Sequence, residues 1–368
     1  MSLSADKKQL LSYIKTVRHD LHRIPELSSE EYQTSEYIAT ALTQMGLTYK
    51  KAHTGLIAEI KGDSDRVVAL RADFDALPIK ENTRLPFASQ NGNMHACGHD
   101  GHTAMLLGAT KYLIEHKPKY TTRLIFQFGE EGDGGARTMI ERGALDGVEQ
   151  IYALHLCPEI EKGMVATKSG ALFAGVTEFD VEFFGKSVHV AVKDEGADAL
   201  KASAEFVCRL DDTLTGEEKA IINTGVIKSG NARNIVSDYA RAECTFRFFD
   251  MKTQSSVMDK ITRLAQSVSA SRGVSAKVSV KSVYPPLNNH ARSVDILKGL
   301  TEIEYIPPRY TAEDFAYYLE KTEGCMAWLG VRDQAHTSPL HSDGFDFDED
   351  VLIIGTELFI KLANAGVN

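Results

Sequence analysis

The chain has 368 residues, of which 43% are hydrophobic, and a typical domain length of about 150 residues then indicates two domains. Its formal net charge of -10 excludes nucleic acids and anionic membrane surfaces as expected partners, because both require clustered Lys and Arg. No stretch approaches the roughly 18 uninterrupted apolar residues of a membrane-spanning helix, and residues 1–16 lack the pattern of a signal peptide. We therefore expect a soluble protein with a small-molecule partner.

The chain contains an odd number of cysteines, and none of them forms a C-x-x-C pair. A disulfide framework is therefore not expected, and a reducing cytoplasm is the simplest compartment. Four of the five are expected to be small buried hydrophobic residues, whereas Cys97 is a candidate metal ligand. The other four are Cys157, Cys208, Cys244 and Cys325.

The first two elements are helices. Residues 7–22 carry apolar side chains at helical spacing, which predicts an amphipathic helix lying on an apolar surface. Ser28 followed by Glu31 is a capping-box pattern, and it predicts the start of a second helix that runs through Met45.

From Gly55 onward, short apolar runs alternate with helical patterns. Strands are predicted at residues 56–60, 67–72, 124–128 and 151–156, and helices between them at residues 101–115 and 135–142. Because strands that alternate with helices form parallel sheets covered on both faces, we predict an α/β fold with a mostly parallel sheet flanked by helices.

The pattern changes between residues 175 and 287, where alternating strands predict an inserted α+β domain. Its strands are predicted at residues 177–184, 221–228 and 241–249, and its helices at residues 199–210 and 253–271. After this insertion a helix at 312–321, a strand at 326–329 and a helix at 351–363 resemble the first domain again. We therefore expect a discontinuous first domain, residues 1–174 and 288–368, and an inserted domain, residues 175–287.

Polar residues of metal-ligand type lie at the ends of three predicted strands. They are Asp73 and Asp75, then Glu130 and Glu131, then His155. Each pair alone is typical of a turn or a helix cap. Their recurrence at three strand ends favours a common site, because open parallel sheets place their sites at that edge.

The segment M-H-A-C-G-H-D-G-H, which starts at Met94, is the densest cluster of such residues. Cys97 and His99 are separated only by Gly98, so in an extended loop their side chains lie on the same side and share an ion. A thiolate with imidazole and carboxylate ligands suits zinc or a similar divalent ion. His95 and His102 are expected beside the site rather than as ligands.

Glu130 and Glu131 are the candidates for the chemistry itself. On an extended segment, adjacent side chains point in opposite directions, so one carboxylate binds metal while the other faces substrate as a general base. Such a base would take a proton from a water that a divalent ion has acidified. No G-x-S-x-G elbow or G-x-x-x-x-G-K-[ST] loop favours a different chemistry.

Two further segments are ambiguous from the residues alone. His341 lies in a turn-rich loop before the last helix, where a lone histidine is usually just solvated. Residues 231–234 follow Gly230 and are typical either of a simple turn or of a substrate-contacting loop. In the second case Arg233 and Asn234 are the candidate substrate-binding residues.

With these residues identified, the chain resembles a family of dinuclear metallo-amidohydrolases over nearly its whole length. That family includes N-acetyldiaminopimelate deacetylase, hippurate hydrolase, plant auxin-conjugate hydrolases and, more distantly, carboxypeptidase G. The matching segments are R-A-D-F-D-A-L-P-I from Arg71, H-A-C-G-H-D-G-H-T-A from His95, G-E-E-G from Gly129, A-L-H-L from Ala153 and L-H-S-D-G-F-D-F-D-E from Leu340.

The resemblance implies a role for each candidate. Two divalent ions, zinc or manganese, would be held by Cys97, His99, Glu131, His155 and His341. Glu130 would be the general acid/base, and Asp75 would orient a metal ligand. The inserted domain would be a lid that also forms a homodimer, from which His189 reaches the site of the neighbouring subunit.

The expected function is therefore hydrolysis of the amide bond of an N-acyl amino acid. The similarity is closer to the deacetylase branch. It implies N-acetyl-diaminopimelate as the leading specific substrate, and a role in lysine or diaminopimelate biosynthesis. Carboxypeptidase, dipeptidase or hippurate-type hydrolysis on the same scaffold is the alternative enzyme activity. A catalytically silent metal-binding protein is the alternative outside enzymes.

Overall fold

The computed structural model describes residues 5–132, 134–214, 216 and 219–365, and the chain forms two compact units. Unit 1 comprises Met1–Gly170, Asn288–Pro307 and Asp314–Asn368. Unit 2 comprises Ala171–Leu287 and Pro308–Glu313. The short segment Pro308–Glu313 thus belongs to unit 2, although its neighbours on both sides belong to unit 1.

Unit 1 is built from helices and a central sheet. Its helices are α1 (Ala5–His22), α2 (Tyr32–Gln44), α3 (His99–Glu115), α4 (Gly135–Glu141), α7 (Ala291–Lys298), α8 (Ala316–Leu319) and α9 (Leu352–Ala365), with a 3₁₀ turn at Glu349–Val351. Its strands are β1 (Tyr49–Ala52), β2 (Gly55–Ile60), β3 (Ser64–Asp73), β4 (Tyr120–Gln127), β5 (Val148–Glu161), β6 (Val165–Thr167), β13 (Ile303–Tyr305) and β14 (Glu323–Arg332). Within the described residues, no helix is both long and apolar enough to cross a membrane.

The eight strands of unit 1 form one sheet in the order β1-β2-β4-β3-β5-β14-β6-β13. The four central strands β4, β3, β5 and β14 run parallel to one another. The sheet's outer strands add antiparallel pairs, which β2 makes with β1 and β4 and β6 makes with β14. The predicted α/β fold with a mostly parallel sheet flanked by helices is confirmed.

The sequence explains why the central strands are covered. In β3 every residue from Val67 to Asp73 is buried, which is typical of a parallel strand with helices on both faces. Helices α1, α3 and α9 pack on one another. A Cβ atom at Gly108 of α3 would lie 2.6 Å from Cγ1 of Ile14, so this glycine permits the close approach of α1 and α3.

Unit 2 has a four-stranded antiparallel sheet with two helices. The strands, in the order β11-β8-β10-β9, are β8 (Gly175–Phe184), β9 (Ile221–Ser229), β10 (Tyr239–Phe248) and β11 (Ser275–Tyr284), and the helices are α5 (Ala199–Arg209) and α6 (Met251–Arg272). Two 3₁₀ turns occupy Val190–Glu195 and Leu210–Thr213, and the short strands β7 (Gly170–Phe173) and β12 (Leu287–Asn289) lie where the chain passes between the units. Aromatic and aliphatic side chains of both layers, among them Phe183 and Phe206, form its core.

Several local predictions were wrong. Ser28 and Glu31 do not form a capping box, because Glu31 is the N-cap of α2 but its side chain makes no capping bond. The predicted helix at residues 312–321 is limited to the single turn Ala316–Leu319, and strand β11 was missed. Cys208 is exposed, whereas the other four cysteines are buried, and all five are free thiols.

Candidate metal centre and active site

The candidate residues follow adjacent strands of the unit 1 sheet. Strand β3 ends at Asp73, which is in register with Gln127, the last residue of the parallel strand β4. Asp75 follows two residues after β3, and Glu130 and Glu131 follow β4 in a turn. Because the two strands are parallel neighbours, both acidic segments leave the sheet at the same edge.

Glu130 and Glu131 do not lie on an extended segment, as the sequence prediction assumed. They occupy a turn that closes through bonds from the Gly134 and Gly135 N–H groups to the Gly129 carbonyl, each 3.1 Å long. Ligand atoms of both carboxylates lie within 4.8 Å of one another and of a ring nitrogen of His99. The two side chains therefore reach the same place rather than opposite sides.

Cys97 and His99 are brought together by a turn and a helix start, and not by an extended loop. Gly98 between them has a φ of 85°, in the left-handed region that favours glycine, and His99 is the first residue of α3. A Cβ atom at Gly98 would lie 3.1 Å from Cδ1 of Leu156. Glycine thus serves both the backbone conformation and the close packing behind the site.

His155 lies inside β5 rather than at its end, since that strand continues to Glu161. Its Nε2 atom is 3.5 Å from Sγ of Cys97. Its Nδ1 atom donates a hydrogen bond of 2.8 Å to the Leu156 carbonyl. This bond fixes the proton on Nδ1 and leaves Nε2 with a lone pair directed at the thiol.

His341 comes to the site from the loop between β14 and α9. Its backbone N–H donates to the Ala96 carbonyl at 2.9 Å, which joins this loop to the turn that carries Cys97. Its φ of 61° is unusual for a residue other than glycine. Its Nε2 atom lies 3.0 Å from Oε1 of Glu131, and its side chain is 51% exposed.

The six predicted residues form one cluster in unit 1 through shared members. Ligand atoms lie within 4.8 Å of one another in three groups: Cys97, His99 and His155; Cys97, Glu131 and His341; His99, Glu130 and Glu131. Sulfur, imidazole and carboxylate donors at such spacing are typical of a site for zinc or a similar divalent ion.

One atom of this cluster supports the fit to a metal ion directly. His99 donates from Nδ1 to the carbonyl and to Oδ1 of Asp75, at 3.0 and 3.1 Å. Its other nitrogen, Nε2, is buried and has no hydrogen-bond partner. A buried imidazole lone pair without a partner is unfavourable unless a cation occupies the space in front of it.

The electrostatics favour a cation at the same place. Burial and the carboxylates of Glu131 and Glu130 raise the pKa of the Cys97 thiol well above its usual value. Burial opposes a charged imidazole at His99, but Asp73 and Asp75 raise its pKa to about 10. A bound divalent ion would stabilise the thiolate and replace the proton that the acidic residues attract.

Asp73 and His102 lie beside the site and are fixed by neighbours on both sides. Nε2 of His102 accepts from the Leu156 N–H at 2.9 Å, so the ring proton is on Nδ1, which donates to Oδ1 of Asp73 at 2.6 Å. Arg71 donates to the second oxygen of Asp73, also at 2.6 Å. His95 is buried as well, and neither of its ring nitrogens has a partner.

Comparison with known proteins identifies the family. The family model described as "Peptidase family M20/M25/M40" matches residues 69–365. The N-acetyl-L-cysteine deacetylase of Bacillus subtilis (strain 168) is 37% identical, over 96% of this chain and 87% of that protein. The chain belongs to this peptidase family. The N-acetyldiaminopimelate deacetylase of Lacticaseibacillus casei (strain BL23) is 34% identical, over 92% of this chain and 94% of that protein.

The fold of this family member agrees with a solved structure. The YXEP protein of Bacillus subtilis, described as a dinuclear metal-binding peptidase of the M20 family, is 32% identical and superposes with a TM-score of 0.87. The match covers 97% of this chain and 98% of that one. The expectation of an amide-bond hydrolase is confirmed by membership of the family.

The other three predicted site residues lie in unit 2, near one another. His189 is exposed and starts a 3₁₀ turn, where its Nδ1 accepts from the Ala191 N–H at 3.1 Å. The next residue, Val190, donates its backbone N–H to the carbonyl of Asn234 at 2.9 Å. Arg233 and Asn234 form an exposed turn, so the three side chains belong to one surface of unit 2.

Unit 2 also contains a cavity that the sequence did not indicate. Its volume is about 440 Å³, and it is lined by Ile221, Ile222, Asn223, Thr245, Arg247, Tyr310 and Thr311. Arg247 alternates along β10 with the buried Phe246 and Phe248, and burial lowers its pKa from the usual value. Arg241, Glu243 and Thr245 alternate with buried residues in the same way, so Arg247 did not stand out in the sequence.

Proposed function

We propose that this protein hydrolyses the amide bond of N-acyl amino acids with the help of bound divalent ions. The observation that carries the proposal is the cluster of Cys97, His99 and His155 with two glutamates beside it. One glutamate would complete a ligand set, and the second would transfer the proton. The names of the two deacetylase relatives support the same substrate class.

Two divalent ions would be held by the predicted ligands, as the description of the similar YXEP protein suggests. When bound, such ions lower the pKa of a water and polarise the amide carbonyl. The thiolate of Cys97 favours zinc, whereas manganese would depend on availability. The ligand set is Cys97, His99, Glu131, His155 and His341.

The chain's own residues would then move the proton and orient the ligands. Glu130 would take a proton from the attacking water and deliver it to the departing amine nitrogen. Asp75 would keep the ring of His99 in one tautomer through its bonds to Nδ1. Burial would raise the pKa of Asp75, but bonds from His99, the Ser28 hydroxyl and the Glu131 N–H lower it, so it stays an acceptor.

The leading substrate that we propose is N-acetyl-diaminopimelate, used in lysine or diaminopimelate biosynthesis. N-acetylcysteine is the second candidate, because one of the similar proteins carries that name and is slightly more identical. Both share an acetyl amide next to an amino-acid carboxylate. The difference lies in the side chain that the substrate site must accept.

The proposed partner is a second copy of the chain, bound through unit 2. Among the described strands, β9 lies at the edge of its sheet and pairs with β10 alone. Its apolar side chains Ile221, Val226 and Ile227 are 38–49% exposed, which is unfavourable for an edge strand in water. Ile227→Lys should therefore shift a dimer towards monomer in analytical ultracentrifugation, and an unchanged mass would contradict this interface.

In such a dimer we propose that His189 acts at the partner's site, and that Arg233 and Asn234 bind substrate. All three side chains are exposed in unit 2 and so are available to a ligand. His189→Asn should lower kcat while metal content stays the same.

The free thiols support a reducing compartment, and we propose the cytoplasm.

The experiment that tests the function combines metal analysis with an assay of amine release. The panel holds N-acetyl-diaminopimelate, N-acetylcysteine, other N-acetyl amino acids, hippurate and dipeptides. We expect turnover of N-acetyl amino acids by protein that contains zinc or manganese. Turnover of dipeptides alone would replace the proposal with a dipeptidase, and bound metal without any turnover would indicate a silent metal-binding protein.

A further inference from the structure

The turn that carries Glu130 and Glu131 is held by carboxylates from three distant parts of unit 1. Glu31 accepts from the Gly129 N–H, Asp75 from the Glu131 N–H and Asp314 from the Ala136 N–H, each at 2.9 Å. All three carboxylates are buried. The start, the middle and the far side of the turn are thus each fixed by one acidic side chain.

Glu31 does not cap the helix that it precedes, and its carboxylate bonds to other segments instead. It is fully buried at the start of α2, yet its side chain does not cap that helix. Oε1 accepts from the N–H groups of Ser29 and Gly129, at 2.8 and 2.9 Å. Oε2 accepts from the hydroxyl of Thr54 at 2.8 Å. The carboxylate therefore joins the loop before α2 to the turn after β4.

The neighbouring serine strengthens the same connection. The hydroxyl of Ser28 donates to Oδ2 of Asp75 at 2.6 Å, and this oxygen also accepts from the Glu131 N–H. The carbonyl of Glu26 accepts from the Ala76 N–H at 2.8 Å. The loop that ends in Glu31 thus contacts both acidic segments that follow β3 and β4.

Burying a carboxylate is unfavourable, and burial raises the pKa of Glu31 to about 7. The hydrogen bonds of a buried acid offset this cost when they hold a segment of backbone in place. Here the fixed group is the backbone of Gly129, directly before Glu130. A displacement of this backbone would move both glutamates together.

We propose that Glu31 is a positioning residue, which holds the Gly129 N–H and thereby places Glu130 and Glu131 for metal binding and proton transfer. This inference rests on the proposed function. Glu31 does not touch the substrate or the reacting atoms. It acts through the backbone of the turn, so its shape and hydrogen bonds matter more than its charge.

That distinction gives a matched pair of variants. In Glu31→Gln the amide oxygen can accept both N–H groups, while the amide nitrogen donates to the Thr54 hydroxyl, so the turn stays in place. In Glu31→Ala the Gly129 N–H loses its buried acceptor. Thr54→Val is the control, because it removes a bond of Glu31 that does not involve the turn.

The test compares these variants in the full chain by zinc titration, by kcat and KM for an N-acetyl amino acid, and by amide exchange. In Glu31→Ala we expect kcat to fall about 10- to 100-fold with a much smaller change in KM, and zinc to bind about tenfold more weakly. Amide exchange in the peptide that covers Gly129–Glu131 should become faster. Glu31→Gln should stay within about threefold of wild type and Thr54→Val within about twofold.

The outcomes show whether Glu31 positions the turn that carries Glu130 and Glu131 or only stabilises the fold in general. Unchanged exchange and zinc affinity in Glu31→Ala would overturn the inference, and so would a Glu31→Gln variant as impaired as Glu31→Ala. If wild type binds zinc but hydrolyses none of the substrates, the proposed function fails while zinc affinity and exchange still decide the role of Glu31. If wild type binds no zinc, exchange at the turn alone decides whether Glu31 holds it.

Discussion

The two units bury different kinds of side chain. Unit 1 buries a connected set of charges at the functional edge of its sheet, in which Arg71 bonds to both Asp73 and Asp314. Unit 2 has a core of aromatic and aliphatic side chains such as Phe183 and Phe206. Apolar packing explains the core of unit 2, and its sheet buries Asp180 beside Arg241 and Lys281. The larger set of buried ions in unit 1 costs more desolvation energy.

A second group of buried charges lies next to the start of α3, which carries the candidate ligand His99. Arg18 of α1 bonds to Asp100 at 3.2 Å, and Nδ1 of His22 lies 2.8 Å from the same carboxylate. Asp100 follows the candidate ligand His99 directly in α3. The difference between the units indicates that unit 1 bears the desolvation cost of a fixed polar site, while unit 2 follows the ordinary pattern of an apolar core.

The largest effect that this comparison predicts is on catalysis at the polar edge. Glu130→Gln should lower kcat roughly 1,000-fold, because the amide cannot accept and return the proton. Metal content and the thermal unfolding midpoint should stay close to wild type. The measurement is amine release from an N-acetyl amino acid, with metal analysis of the same sample. Retained turnover would show that the base is another group.

A break in the charge network should destabilise unit 1 in a pH-dependent way. Arg71→Met leaves Asp73 and Asp314 buried without their cation, so we expect a loss of roughly 3 to 5 kcal/mol at pH 7.5. Burial raises the pKa of Asp73, but Arg71 and the nearby histidines hold it well below the usual value. Once Arg71 is gone this pKa rises, so the loss should shrink as the pH falls and the carboxyls take up protons.

Chemical denaturation of the Arg71→Met variant between pH 5 and 7.5 measures this slope. Lys at the same position is the control, since it keeps a cation but loses the forked geometry. An equal loss at every pH would mean that Arg71 acts through packing instead.

The matching change in unit 2 should lower the free energy of unfolding by the same amount at every pH. Phe206 is fully buried in the apolar core, so Phe206→Ala should cost roughly 3 to 5 kcal/mol through lost burial and a cavity. Its neighbours in the described core cluster are apolar side chains and the thiol of Cys244, whose pKa burial raises, so the loss should be the same at pH 5 and 7.5. Denaturation curves at both pH values measure it, and Phe206→Leu serves as the milder control. If the stability loss of Phe206→Ala depended strongly on pH, the proposed contrast between a charged site in unit 1 and an apolar core in unit 2 would be wrong.

The sequence was informative where the site depends on short segments. Gly98 places Cys97 and His99 together within one turn, and parallel strands necessarily bring the acidic residues after β3 and β4 to one edge. The alternation of strands and helices predicted the α/β class for the same reason. His341 could not be assigned from its surroundings, because a bond from its N–H to Ala96 attaches its loop to the site.

Two of the wrong predictions failed where long-range bonds override local patterns, and another failed where a bulge interrupts the pattern of a strand. Glu31 fits a capping box by its spacing from Ser28, but its carboxylate bonds to Gly129 in a distant segment. Strand β11 is half-exposed and contains a bulge between Val280 and Ser282, which interrupts the alternation that predicts a strand. The segment before α8 does not continue as a helix, and Asp314 within it bonds to Arg71.

The smallest expected effect is the pH dependence of stability that Glu31 alone causes. It tests the cost of a buried charge in unit 1 at a single residue. Burial raises the folded-state pKa of Glu31 to about 7 from its ordinary 4.5, so the folded chain binds this proton more tightly than the unfolded chain. The free energy of unfolding of wild type should therefore fall, relative to Glu31→Gln, as the pH rises from about 4.5 to 7. The expected difference is roughly 3 kcal/mol, and it should be constant outside that window.

Denaturation of both proteins in the presence of a chelator measures this difference, because the other titrating groups are shared and cancel. Thr54→Val tests the assignment, since loss of the hydroxyl donor should raise the folded-state pKa further and move only the upper end of the window to higher pH. A flat difference curve would mean that Glu31 ionises at its ordinary pKa even though it is buried. In that case the bonds from Ser29, Gly129 and Thr54 offset the whole cost of burial, and the polar edge of unit 1 would cost the fold less than the contrast with unit 2 implies.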